Sequence, residues 1–396
     1  MQIATPSSLA QRVSGMSREL KLFLVASLSM GMAYSMFDAI FNNFLNERFE
    51  LTGFQRSFLE FPRELPGFMV VFTSALLWFL CSRRLGALAL VLGSIGAVLI
   101  GFLSTSYAVM VIFLFLYSTG QHLFMPVAAT IGMELAHEGK IGQRLGQINA
   151  IRNVAAIMGS LIVVFGFRFL GLRFEHVFAL SALGLGVAAV LMFSMKPNQV
   201  QSARTHLTLH KEYKLYYLLA VLFGSRKQLF MTFAPWVLVT IFKQPTTLLA
   251  TLMFTGGVIG IAFQPFLGWA IDKFGERVVL ASEAVMLVVV CAGYGFAHSF
   301  LPEGTAFLVV CACFLIDNML MSVGMARSTY IKKIALDPSH VQPALTAGVT
   351  IDHIFSISVA LLGGLIWNQF GFQYVFLLGA CIAAINFFVA LRVKVT

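Results

Sequence analysis

The sequence predicts an all-α membrane protein, with twelve transmembrane helices in two pseudo-symmetric six-helix bundles. Three observations carry this expectation. Of 396 residues, 59% are hydrophobic and only 11% are charged, whereas a soluble domain keeps about a quarter of its residues charged. The apolar residues gather into stretches of the ~20 residues that a helix needs to cross a hydrocarbon core about 30 Å thick. One polar stretch near the centre, KPNQVQSARTHLTLHKEYK, separates six such stretches from six more. The expected organisation is an N-terminal bundle at 1–195, a cytoplasmic linker at 196–214 and a C-terminal bundle at 215–396.

In order, the expected spans are 22–44, 62–81, 86–106, 108–134, 142–169, 175–195, 215–242, 246–271, 278–299, 303–325, 343–367 and 373–391. The first follows a polar, basic segment, and no small-residue cleavage site follows its apolar run, so it reads as a retained span. The second opens on FPRELPGF (61–68), whose prolines suit a helix start; Arg63 and Glu64 there read as a structural entrance. The tenth ends in ARSTYIKK (326–333), read as a topology signal with a gate contact. Basic residues set the orientation. With both termini inside, the cytoplasmic side collects Arg12, Arg18, Lys21, Arg83, Arg84, Lys140, Arg144, Arg204, Lys273, Arg277, Arg327, Lys332 and Lys333, and the outer loops hold few, among them Arg48, Arg56 and Lys243.

The net charge of +10 follows from that bias and needs no nucleic-acid partner. The five cysteines lie in or beside apolar stretches, with neither zinc spacing nor a disulfide pattern. No cofactor or metal is expected. The chain lacks H-E-x-x-H, a phosphate-binding loop and G-x-S-x-G, which speaks against an enzyme.

An internal repeat supports two parallel halves. INAIRNVAAI (148–157) precedes GVTIDHIFSI (348–357) by 200 residues, each at the same place in the fifth span of its half. HVFALSALG (176–184) and YVFLLGACI (374–382) match at nearly the same offset. In the loop after the eighth span, GWAIDKFGER fits the form G-x-x-x-D-[RK]-x-G-[RK]-[RK] through Gly268, Asp272, Lys273, Gly275 and Arg277, with Glu276 in place of the first closing basic residue. The corresponding first-half loop, FLCSRRLGAL, keeps Arg84 and Gly86 but has Phe79 for glycine and Arg83 for the acid.

On these motifs, span count and repeat, the chain resembles the major facilitator superfamily of transporters. The resemblance implies alternating access and a loop at 268–277 that latches the halves in the outward-facing state. A tight basic turn that merely obeys the charge rule is the alternative. The fourth span lacks the arginine of many proton-driven members, and the fifth lacks the Gly-Pro pair of drug/proton exporters.

LLAVLFGSRKQLFMTFAPW (218–236) places Arg226 and Lys227 near the midpoint of the seventh span, the depth at which such transporters bind substrate. A charge facing lipid there costs at least about 2.5–3.5 kcal/mol. Neighbours on a helix point ~100° apart, so the pair cannot aim at one spot. One is expected to line a central cavity and the other to pair with an acid. Arg152, His122, Gln121, Phe230 and Phe233 join them as candidate substrate contacts, while Asp352, His353, Asp317 and Asp38 are candidates for proton coupling or ion pairing. The same charges also read as ion pairs that lock helices without touching cargo.

The sequence thus predicts a monomeric secondary transporter in the cell (inner) membrane, in contact with lipid and a small-molecule substrate. A small organic anion coupled to protons is the specific expectation; a multidrug or other efflux transporter, or a lipid flippase on the same fold, is the alternative.

Overall fold

The computed structural model describes residues 16–49, 59–198, 209–244 and 246–394. Arg12, Arg56, Arg204 and most of the 196–214 linker lie outside the described residues. The N-terminal helices are α1 (Arg18–Phe49), α2 (Glu60–Leu76), α3 (Ser82–Leu103), α4 (Tyr107–Glu134), α5 (Ile141–Phe169) and α6 (Phe174–Phe193). In the second half, α7 (Lys214–Trp236) runs on into a π-helical turn at Val237–Ile241. A continuous stretch then holds α8 (Thr251–Phe274) and α9 (Glu276–Phe300). It is followed by α10 (Glu303–Ile334), α11 (Val341–Phe370) and α12 (Phe372–Ala390).

Among the described residues no strand occurs; a backbone surrounded by hydrocarbon must satisfy its own hydrogen bonds, and a helix does so within one segment. Of the twelve long helices among the described residues, ten are long and apolar enough to cross a membrane. The other two are α2, with 17 residues, and α7, which carries the Arg226–Lys227 pair.

The halves repeat one packing scheme. In the first, α1 packs on α5 and α6, and α3 packs on α4 and α6; in the second, α7 packs on α11 and α12, and α9 packs on α10 and α12. One apolar core runs from Phe23 to Met195, and a second gathers residues from Tyr213 to Val393 together with Met133 and Leu145 of the first half. The halves meet along two equivalent helix pairs, α2 against α11 and α5 against α8. Large side chains such as Phe165, Leu308 and Phe388 stand more than half exposed around the outside, as lipid-facing positions do. The face at which α1 begins and α12 ends is called here the terminal face.

A single residue turns the chain between α8 and α9. Gly275 takes φ 82° and ψ 162°, a region open essentially to glycine alone. Replacing it by alanine is expected to cost about 1–3 kcal/mol, read as a lowered melting temperature of the detergent-purified protein.

The tenth helix departs from expectation. Ser322 and Val323 interrupt it, but it resumes at Gly324 and runs to Ile334, so ARSTYIKK belongs to a packed helix rather than to a surface end. Arg327, expected in cytoplasmic water, is buried because Glu283 on α9 offers it a carboxylate at 3.1 Å.

Candidate functional site

Three cavities line up between the halves. The largest, about 420 Å³, is bordered by Asn149, Arg152 and Asn153 of α5 and by Gln264, Asn318 and Ser322 of α8 and α10. A second, about 220 Å³, shares Asn149, Arg152 and Ser322 with it and extends to Gly324 and Ser328. Those last two residues also border a third, about 240 Å³, which ends at Asp352 on α11. The internal repeat places Arg152 and Asp352 at equivalent positions of α5 and α11, and both reach this space.

The seventh-span cations are both neutralised. Arg226 is 2% exposed, with Nη1 3.3 Å from Asp317 Oδ1 and Nη2 3.7 Å from Glu283 Oε1. Glu283 in turn binds Arg327 through Oε2 at 3.1 Å. Two guanidiniums and two carboxylates therefore form a charge-balanced chain, Asp317–Arg226–Glu283–Arg327, within the second half. Lys227, a third of a turn further round, reaches Asp352 Oδ2 at 2.6 Å. Ser356 Oγ lies 3.4 Å from the other carboxylate oxygen. The expectation that only one cation of the pair would meet an acid is corrected: Arg226 borders none of the three cavities and Lys227 is tied to α11. The reason is Glu283, which supplies a second buried anion beside Asp317.

Phe230 and Phe233 follow Arg226 into the C-terminal core. Phe230 lies beside Tyr294 and Phe376, and Phe233 stacks on Trp367, so neither roofs the cavities. Gln121 is half-buried on α4. Asp38 meets Arg63 at 3.5 Å rather than a group of the central cavities.

Arg152 differs from the other intramembrane cations. It is half-buried, borders two of the cavities and has its Nε atom buried without a hydrogen-bond acceptor. Among the described residues no carboxylate pairs with it. Four carboxamide side chains and a hydroxyl share its largest cavity, so the lining offers one positive charge amid neutral donors and acceptors.

Glu64, assigned to an entrance, instead joins the two buried histidines. Its Oε2 lies 3.1 Å from His353 Nε2 and 3.8 Å from His122 Nε2, bringing together α2, α4 and α11. Glu64 and Glu283 are the residues that sequence reasoning passed over. The available signal was a carboxylate inside an apolar span, which is costly enough to require a purpose.

The terminal face is closed. Asp272, at the end of α8, accepts hydrogen bonds from the backbone N–H groups of Gly142 (2.8 Å) and Gln143 (2.7 Å) in the first turn of α5. A carboxylate there also meets the positive end of the helix dipole. Close approach makes this possible: a Cβ on Gly268 would collide with the Gly142 carbonyl. At the equivalent crossing, Ser82 at the start of α3 donates to Gln342 at the start of α11. Lys273 lies 4.6 Å from the centre of the Trp269 ring. Glu276, standing where the motif has a basic residue, pairs with Lys333 at 2.7 Å, while Arg277 is exposed.

The sequence profile of the family described as Major Facilitator Superfamily matches residues 23–342. No curated relative matches the chain. Among solved structures, the chain is similar to the E. coli fucose:proton symporter FucP in its outward conformation, with a TM-score of 0.76 and 16% identity over 95% of this chain and 98% of that one. It is also similar to the proton:xylose symporter XylE, with a TM-score of 0.69 and 14% identity over 94% of each chain. For the human organic anion transporter MFSD10 (TETRAN), the TM-score is 0.63 at 12% identity over 94% of this chain and 99% of that one.

Proposed function

Since the chain belongs to the Major Facilitator Superfamily, we propose that it is a secondary active transporter that carries a small organic anion by alternating access, with Arg152 as the anion-binding residue. One observation carries the substrate class: Arg152 faces the space between the halves, and among the described residues no carboxylate neutralises it. A carboxylate on the substrate would complete it through a charge-assisted, bidentate pair. The surrounding carboxamides suit hydroxyl or carbonyl groups on the same molecule. The fold does not choose the cargo, since similar structures are described as carriers of a sugar or of an organic anion.

In this reading, residues 1–195 and 215–396 are the rocking units, joined by the linker at 196–214. The terminal face lies in the cytoplasm, because Arg18, Lys21, Arg83, Arg84, Lys140 and Lys273 gather there. The structure then corresponds to the outward-facing form in the cell membrane. Lys227 and Asp352 are the coupling pair: protonating Asp352 removes its attraction for Lys227, loosening α7 from α11 beside the cavity.

A ligand that binds the native protein raises its melting temperature according to its concentration over Kd. Small mono- and dicarboxylates, including hydroxylated ones, are expected to stabilise the purified protein. The shift is expected to vanish in Arg152→Ala and to persist in Arg226→Lys. Stabilisation by neutral sugars alone, unaffected by Arg152→Ala, would overturn the anion reading.

A further inference from the structure

We propose that Glu64, His122 and His353 form a binding site for a divalent first-row transition metal, which ties the two halves together in the conformation closed at the terminal face. The metal site itself goes beyond the transport reading, while its effect on conformation rests on the alternating access of that reading.

His122 Nδ1 lies 2.9 Å from the Ser118 carbonyl oxygen, and His353 Nδ1 lies 2.8 Å from the Val349 carbonyl oxygen. A carbonyl only accepts, so each Nδ1 carries the proton, and in the neutral rings each Nε2 presents a lone pair. These two Nε2 atoms face one another at 3.1 Å. The Glu64 carboxylate converges on the same point, 3.1 Å from one and 3.8 Å from the other. Three electron-pair donors, mutually within 4.8 Å, repel one another unless a cation sits among them.

The spacing suits a metal ion. Two ligands held about 2.0–2.1 Å from a tetrahedral zinc lie roughly 3.3 Å apart, close to the distances above. An Nδ1–H donated to a backbone carbonyl, with Nε2 left for the metal, is the usual support of a histidine ligand. Two imidazoles and one carboxylate select zinc or another late first-row metal over magnesium or calcium, which prefer all-oxygen sites. The surroundings make room for the rings, since a Cβ on Gly67, one turn along α2 from Glu64, would press on His353 Cδ2 and His122 Cδ2 at 2.5 and 2.7 Å. The His side chains are 8% and 3% exposed, whereas Glu64 is 37% exposed and leaves a route for an ion. Sequence spacing gives no hint of the group, because its members stand on three separate helices.

Glu64 and His122 belong to the first half and His353 to the second. Rocking the halves would pull His353 from the other two ligands. Bound metal therefore stabilises this conformation by mass action.

The test is a titration of the tag-free, chelator-treated protein in detergent with Zn²⁺, competed against a chromophoric chelator, alongside thermal unfolding. One Zn²⁺ per chain and a raised melting temperature are expected. His122→Gln and His353→Gln should each weaken binding by at least about tenfold while melting near the wild-type temperature without metal. His210→Gln with His340→Gln, which removes the stacked histidine pair elsewhere, should bind as the wild type does. Gly67→Ala keeps all three ligands but crowds the rings and should also weaken binding, so the proposal remains testable if a ligand variant misfolds. Co²⁺ should give visible bands of a low-coordinate site that His353→Gln removes. No saturable binding, or binding unchanged in the ligand variants, would overturn the metal site and leave a proton shared by the two imidazoles.

Discussion

Replacing Glu283 by leucine is expected to destabilise the protein by about 3–5 kcal/mol, the cost of breaking a buried ion pair from one side. Glu283 is 2% exposed and stands between two guanidiniums. Its Oε2 accepts from Arg327 Nη1 at 3.1 Å, and its Oε1 lies 3.7 Å from Arg226 Nη2. Without it Arg226 keeps Asp317 but Arg327 loses its carboxylate partner, and the core of the second half carries an uncompensated positive charge. Combining Glu283→Leu with Arg327→Met removes one charge of each sign and leaves the Arg226–Asp317 pair at 3.3 Å. Most of the lost stability should then return, because apolar replacement of a whole buried pair is often neutral or stabilising. Thermal unfolding of wild type, single and double variants measures this directly. A double variant no more stable than the single one would mean that the network is not held by charge balance.

The second large effect falls on the closed terminal face. Asp272→Ala removes two charge-assisted hydrogen bonds to the first turn of α5. Bonds to a charged group contribute about 1.5–3 kcal/mol each, and every 1.4 kcal/mol changes a ratio of states tenfold. The balance between closed and open forms should move by at least about tenfold toward the open one. Spin labels at Glu138 and Arg277, exposed positions on opposite halves of this face, would report it as a longer distance population in a background free of the native cysteines. Asp272→Asn, which keeps one carbonyl acceptor, should shift the population less. An unchanged distance distribution in Asp272→Ala would remove the latch role.

The span pattern was legible because each crossing must be a long apolar run, and the 200-residue repeat carried the two-half scheme with it. The loop motif at 268–277, too, was readable as a set of residue types, although the contact of Asp272 with α5 was not. Partners are hard to read because they come from helices distant in sequence. Arg226, Phe230 and Phe233 share one helix face, as their spacing of four and three residues implies. What that face looks toward was decided by Glu283 and Asp317 on α9 and α10, so all three turn into the C-terminal core. Lys227, pointing elsewhere on α7, met Asp352 instead. Glu64 looked like part of a helix entrance until α2 was laid across α4 and α11. Arg152 needed the opposite information, namely that no acid among the described residues pairs with it, which only three-dimensional packing supplies.

The most direct measurement is uptake of a radiolabelled carboxylate, chosen from the thermal-shift panel, into sealed proteoliposomes with and without an inward proton gradient. The proposed mechanism predicts saturable uptake that the gradient accelerates, that Arg152→Ala abolishes and that Asp352→Asn uncouples from protons. Uptake that proceeds unchanged in Arg152→Ala would contradict the anion site, and with it the assignment of the cargo.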